Sequence, residues 1–154
     1  MTSLKVGDKA PNFGGFNQNG EQISLKDFAG KKLILYFYPK DNTPGCTAES
    51  CNLSDNYDAW LDKGFEIVGV SPDSQKSHQK FAEKYGFRFN LIADTEKEIL
   101  EAYGAWGKKS MYGKEYMGVL RKTFVIDENG VIVQIFDKVQ TKDHTNQIVE
   151  ALKL

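Results

Sequence analysis

Apolar residues follow two rhythms along this chain, and the switches between them lay out its secondary structure. Leu33-Ile34-Leu35-Tyr36-Phe37-Tyr38 is apolar without alternation and stops at Pro39. That is the pattern of a strand buried on both faces, as in the centre of a parallel sheet. Phe65 to Ser71 and Phe89 to Ala93 read as a second and a third strand. Between these runs the period lengthens to that of a helix. Leu53, Tyr57, Trp60 and Leu61 form one stripe of a helix that starts near Cys46 and ends at Gly64. Phe81 and Tyr85 lie one turn apart in a helix from Ser74 to Tyr85, closed by Gly86, and Ile99, Leu100 and Tyr103 mark a shorter one from Glu96 to Tyr103.

The flanks are less regular. Residues 1–32 are rich in turns, and Asn17-Gln18-Asn19-Gly20 followed by Ile23 and Leu25 predicts a small hairpin covering one end of the sheet. Residues 104–118, rich in Gly, Lys, Tyr and Met, have no clear period and read as a loop or insertion. Thr123 to Asp127 and Val131 to Phe136, joined by Glu128-Asn129-Gly130, predict an antiparallel pair, and Asp143 to Leu154 a closing helix with Ile148, Val149 and Leu152 inward. No repeat or low-complexity linker interrupts the order, so residues 1–154 are expected to form one domain. Strand, helix, strand, helix, then an antiparallel pair and a last helix describes an α/β sandwich: a mixed central β-sheet flanked by helices, with an N-terminal hairpin extension. A thioredoxin-like fold has this order.

Charge narrows the partners. Twenty basic residues face 21 acidic ones, the net charge is −1, and like charges form no block, so neither nucleic acid nor an anionic membrane surface is indicated. Met1 to Asp8 lack the apolar core of a secretion leader and no run approaches membrane-spanning length, so a soluble cytoplasmic protein is expected. In that reducing compartment the two cysteines, Cys46 and Cys51, are expected to be catalytic, redox-active or metal-binding rather than a staple.

Both cysteines lie just beyond the first buried strand, at the carboxyl end where α/β sheets gather their sites. Thr43 at the N-cap and Pro44 at the first helical position are start signals that put Cys46 in the first turn. There, unpaired N–H groups and the positive end of the helix dipole favour a thiolate. The alternative is a small buried apolar cysteine, which the polar turn, the helix start and the second cysteine disfavour.

The spacing separates reactive classes. Thioredoxin-type reductases place their cysteines as Cys-x-x-Cys, whereas here four residues intervene. On an intact helix, residues five apart are separated by about 8.6 Å between Cα atoms, and a disulfide needs about 4.4–6.8 Å. A Cys46–Cys51 bond therefore requires the first turns to unwind. A zinc site would need two more ligands, and the only histidines, His78 and His144, read as solvated positions on polar helix surfaces, so no metal is expected. Arg88 and Arg121 are the only arginines. Arg121 precedes a strand and has the reach to stabilise a Cys46 thiolate and polarise a bound oxygen; the alternative is an exposed edge charge.

Pro39-x-x-x-Thr43-x-x-Cys46 matches the active-site motif of the peroxiredoxins, and Gly45-Cys46-Thr47-Ala48-Glu49-Ser50-Cys51 resembles their Q-type subfamily, also called bacterioferritin comigratory protein. Ala10-Pro11-Asn12-Phe13, Met111-Tyr112-Gly113-Lys114 and Arg121-Lys122-Thr123-Phe124 extend the resemblance over nearly the whole chain. It implies a thiol peroxidase acting on hydrogen peroxide and organic hydroperoxides without metal, haem or other cofactor. By position, Cys46 would be peroxidatic and Cys51 resolving, while Pro39, Thr43 and Arg121 would shape and polarise the pocket. A thioredoxin or similar dithiol protein would reduce the Cys46–Cys51 disulfide, and the subfamily is often monomeric. A disulfide reductase and a non-catalytic binding module remain the other readings at this point.

Overall fold

In the computed structural model, which describes residues 4–154, two short strands, β1 (Gly14–Phe16) and β2 (Gln22–Ser24), pair antiparallel across the Asn17–Gly20 turn as that turn predicts. The leader reading at Met1, Thr2 and Ser3 lies outside the described residues. Next come β3 (Lys32–Phe37), α1 (Pro44–Asp55), α2 (Tyr57–Asp62), β4 (Phe65–Ser71), α3 (Gln75–Tyr85), β5 (Asn90–Ala93) and α4 (Glu98–Ala102). The chain continues through β6 (Trp106–Met111), β7 (Lys114–Val119), β8 (Lys122–Ile126), β9 (Ile132–Phe136) and α5 (His144–Leu152). Five strands form one sheet in the order β5-β4-β3-β8-β9, with β3, β4 and β5 parallel and β8 and β9 antiparallel to their neighbours. This is the expected mixed sheet, with β3 at its centre.

The unbroken apolar run of β3 follows from that position, because alternate side chains enter two separate cores. Leu33, Leu35 and Phe37 pack with Val68, Val70 and Phe124 under the N-terminal segment and α4. Ile34, Tyr36 and Tyr38 pack on the other face with Leu53, Trp60, Phe81 and Ile148, from α1, α2, α3 and α5. Gly69, opposite Tyr36, leaves room for that ring, since a Cβ there would lie 2.8 Å from Tyr36 Cζ. Among the described residues no helix is long and apolar enough to cross a membrane.

Three expectations need correction. Where residues 104–118 read as a loop or insertion, residues 106–119 form an antiparallel hairpin whose two-residue turn, Tyr112-Gly113, has positive φ at both positions (52° and 77°). Most of its side chains are exposed, so no buried face imprints a period on the sequence. The helix expected to run to Gly64 breaks at Asn56, whose Nδ2 donates to the Asn52 carbonyl at 2.8 Å in place of a backbone N–H. Leu61, assigned to its apolar stripe, is exposed.

The third correction concerns the histidines, both of which are fully buried. His78 Nε2 faces the Ile92 carbonyl at 2.9 Å and Nδ1 faces Asp41 Oδ2 at 2.7 Å. Asp41, Asp73 and His78 bring ligand-type atoms within 4.8 Å of one another. Those atoms bond to each other, to Tyr38, to Ser71 and to Ser77, and neither cysteine joins them. Their role here is to fasten the loop after β3.

Candidate active site

Tyr38 extends the β3 ladder by donating its N–H to the Val70 carbonyl at 3.1 Å, and half-buried Pro39 then turns the chain off the sheet. Asp41 pins the turn. Its N–H donates to Asp73 Oδ2 at 2.8 Å, while its carboxylate accepts from Tyr38 Oη at 2.6 Å and Ser77 Oγ at 2.8 Å. Asn42 adopts φ 59°, a left-handed conformation that Asn tolerates better than most side chains. Thr43 is extended and Pro44 opens α1, as the sequence predicts.

The cap itself differs from expectation. Thr43 Oγ1 accepts no N–H from the first turn; it donates to the Lys40 carbonyl at 2.8 Å. α1 also carries no acidic residue in its first turn and no basic one in its last. Gly45, Thr47, Ser50 and Asn52 are poor helix formers, so packing rather than propensity holds this helix.

Cys46 lies in the first turn of α1 and is 1% exposed. Lys122, the first residue of β8, pairs with Phe37, the last of β3, and that register brings Arg121 to the end of the sheet where α1 begins. Arg121 Nη2 donates to Cys46 Sγ at 3.3 Å and Nη1 to Glu49 Oε1 at 2.7 Å. The sequence-predicted pair therefore meets. A Cβ at Gly45 would lie 3.4 Å from Nη2, so the guanidinium packs directly against the first turn of α1. Neither Pro39 nor Thr43 hydrogen-bonds the sulfur, although both belong to the turn that delivers it.

Glu49 is the member that sequence reasoning missed. It follows Cys46 by three residues, a spacing that puts two side chains on one helix face, and that was the available signal. Its side chain is fully buried, and among the described residues Oε2 has no hydrogen-bond partner. Burial pushes its pKa up to about 7, against the pull of Arg121. For Arg121, burial opposes the charge, but Glu49 and the Cys46 sulfur outweigh it and raise the pKa. On the far side His144 Nδ1 faces Gln147 Oε1 at 2.8 Å, so Nε2 accepts from the Thr123 hydroxyl at 2.8 Å. Burial lowers the His144 pKa to about 4, keeping the ring neutral.

Glu49 and His144 tilt stability against pH in opposite directions. Glu49 holds its proton more tightly when folded, so its contribution is full below 4.5 and is lost as pH rises through about 7. His144 holds its proton more weakly when folded, so its contribution is full above 6.5 and is lost as pH falls through about 4. In the intact protein the two largely offset each other. Urea denaturation of Glu49→Gln beside the parent is expected to show the variant gaining about 3 kcal/mol on the parent between about pH 4.5 and 7.5. A constant difference across that range would contradict the buried carboxyl.

Cys51 sits apart from this cluster. It is half-buried on the uninterrupted α1, and both cysteines are free thiols. Partial burial, together with the Asp55 carboxylate, raises its pKa. Its neighbours tie the helix down: Ser50 Oγ meets Tyr36 Oη at 2.8 Å, and Asn52 Oδ1 accepts the Thr145 N–H, in the first turn of α5, at 2.7 Å.

Comparison with known proteins agrees with this geometry. Residues 6–135 match the AhpC/TSA family. Peroxiredoxin Bcp of Bacillus subtilis is 43% identical over 151 residues, covering 98% of this chain and 96% of that protein. Peroxiredoxin Bcp of Escherichia coli is 42% identical over 153 residues, covering 99% and 98%. Among solved structures, a cysteine-to-serine mutant of Xylella fastidiosa PrxQ superposes with a TM-score of 0.92 at 30% identity, covering 99% of this chain and 98% of that one. A mutant of Xanthomonas campestris peroxiredoxin Q gives 0.86 at 38% identity, covering 92% and 90%. With a sulfur and a guanidinium meeting at the helix start of a thioredoxin-like sheet, the chain belongs to the AhpC/TSA family and, within it, to the peroxiredoxins of the Bcp or Q type, which are thiol-dependent peroxidases.

Proposed function

We propose that Cys46 is the peroxidatic residue and Cys51 the resolving one, acting on hydrogen peroxide and organic hydroperoxides. The observation that carries this reading is the buried Cys46 sulfur 3.3 Å from Arg121 Nη2 at the start of α1. The Cys46 thiolate attacks one peroxide oxygen, the O–O bond breaks, and the leaving oxygen takes a proton to become water or an alcohol. Arg121 and the unpaired N–H groups of the first turn donate to the charge developing on that oxygen. Thr43 contributes differently from what its sequence position suggests. With its proton given to the Lys40 carbonyl, its oxygen accepts from the peroxide O–H. Pro39 offers no N–H and shields the sulfur from water.

In the second half of the cycle Cys51 attacks the sulfenic sulfur, water leaves, and an intramolecular disulfide forms. The first turns of α1 open to allow it, and their poor helix formers make that opening inexpensive. A thioredoxin-type dithiol then reduces the disulfide by exchange. Organic hydroperoxides are included because a solved structure of the bacterioferritin comigratory protein of Xanthomonas campestris is described in terms of its alkyl peroxide reduction activity. Cys46 and Cys51 share one helix, so the disulfide closes within a chain and the cycle needs no second subunit; we place it in a monomer of the reducing cytoplasm. Cys51→Ser provides the test. It is expected to consume one peroxide per chain and then stop, with no thioredoxin-driven recycling; recycling at the parental rate would refute the role of Cys51.

A further inference from the structure

Two acidic groups share one guanidinium in this site. Arg121 gives Nη1 to Glu49 and Nη2 to Cys46, and the second oxygen of Glu49 is buried without a partner. With Cys46 a thiolate and Glu49 a carboxylate, two buried negative charges would share one positive charge, that of a partly exposed Arg121. The surrounding elements supply no second cation. From α5, His144 Nε2 lies 3.8 Å from Glu49 Oε2 but accepts from Thr123 of β8, and so has no proton to give. From β3, the Tyr36 hydroxyl is engaged with Ser50. A proton on Glu49 removes the excess charge and leaves the buried, unpartnered oxygen neutral, which costs less than leaving it anionic.

We propose that Glu49 holds the proton that peroxide reduction consumes, being protonated while Cys46 is a thiolate and ionised once Cys46 is a sulfenic acid. This rests on Cys46 as the peroxidatic residue. In balanced form, Cys46 thiolate, Glu49 carboxylic acid and ROOH become Cys46 sulfenic acid, Glu49 carboxylate and ROH. An S–O bond forms and the O–O bond breaks. The sulfur is oxidised by two electrons, the peroxide is reduced by two, and the departing RO⁻ takes up the proton that Glu49 releases. The net charge of the cluster is the same before and after. Arg121, shared at the outset, is left with the Glu49 carboxylate as its sole anion. Burial, which pushes Glu49 up to about 7, makes the proton available in the neutral range.

Proton counting tests this directly. The Cys51→Ser chain, which halts at the sulfenic acid, is mixed at about pH 8 with one equivalent of hydrogen peroxide in weak buffer containing an indicator dye. That pH lies above the value of about 7 at which a Glu49 relieved of the thiolate would recover its proton from solvent. With Glu49 present, sulfenic acid formation is expected to draw almost no protons from solvent. With Glu49→Gln added, it is expected to draw about one per sulfenic acid formed, since the reaction balance then has no internal donor. Equal uptake by the two chains overturns the inference. If the double variant does not fold, infrared difference spectra of Cys51→Ser alone decide: on oxidation a carboxylic-acid C=O band should vanish and carboxylate bands appear, and an unchanged carboxyl region overturns the inference. Absence of any sulfenic acid would instead strike down the assignment of Cys46, and this inference with it.

Discussion

The Cys46→Ser protein is expected to keep its fold and to lose about 10⁴-fold or more of its peroxidase turnover. A serine oxygen occupies nearly the same space in the first turn of α1, and Arg121 can still donate to it, so the unfolding midpoint should move little. The chemistry should not survive. At neutral pH a hydroxyl offers almost no anion, and no side chain near it is placed as a general base, for His144 turns its accepting nitrogen to Thr123. Coupled peroxide consumption at saturating reductant measures the loss. Turnover within tenfold of the parent would refute Cys46 as nucleophile.

Removing the guanidinium should be the next most severe change. Arg121→Met is expected to slow the oxidation of Cys46 by about 10²–10³, the usual consequence of deleting a donor to a developing oxyanion. The same substitution strands Glu49 in the core, which costs about 3–5 kcal/mol at pH 8 and less at pH 6, where the carboxyl takes up a proton. Adding Glu49→Gln separates the two effects, because it removes the stranded charge without replacing the donor. Stability by urea denaturation should largely return, while the oxidation rate, followed by Trp60 or Trp106 fluorescence in stopped flow, should not. Recovery of both would reduce Arg121 to a structural residue.

The sequence disclosed most where burial is enforced from both sides or where a local signal ends an element. β3 was legible because each of its faces meets a core, leaving no polar position after Lys32. α3 was legible because Ser74 caps it, accepting from the Ser77 N–H, and Gly86 closes it at φ 72°. The pair formed by β6 and β7 was hidden for the converse reason: backbone bonds hold it together while most of its side chains face solvent. The histidines and Glu49 were hidden by distance along the chain. His78 owes its burial to Asp41, 37 residues away, and Glu49 to Arg121, 72 residues away. Cys46 and Arg121 were legible from residue type and register, whereas the cluster's excess of acidic groups over cations becomes visible only when three segments converge.

Asn52 links the opening of α1 to a distant part of the molecule. Its carboxamide oxygen holds the Thr145 N–H in the first turn of α5, and its neighbour on the chain is Cys51. If Cys51 moves toward Cys46 as proposed, it would draw this side chain away and leave one of the initial amides of α5 without its acceptor. Under the proposed resolving role of Cys51, the C-terminal helix would carry a record of whether the thiols have reacted. A reductant that sampled only the outer surface of α5 could tell spent molecules from ready ones without reaching the sulfur.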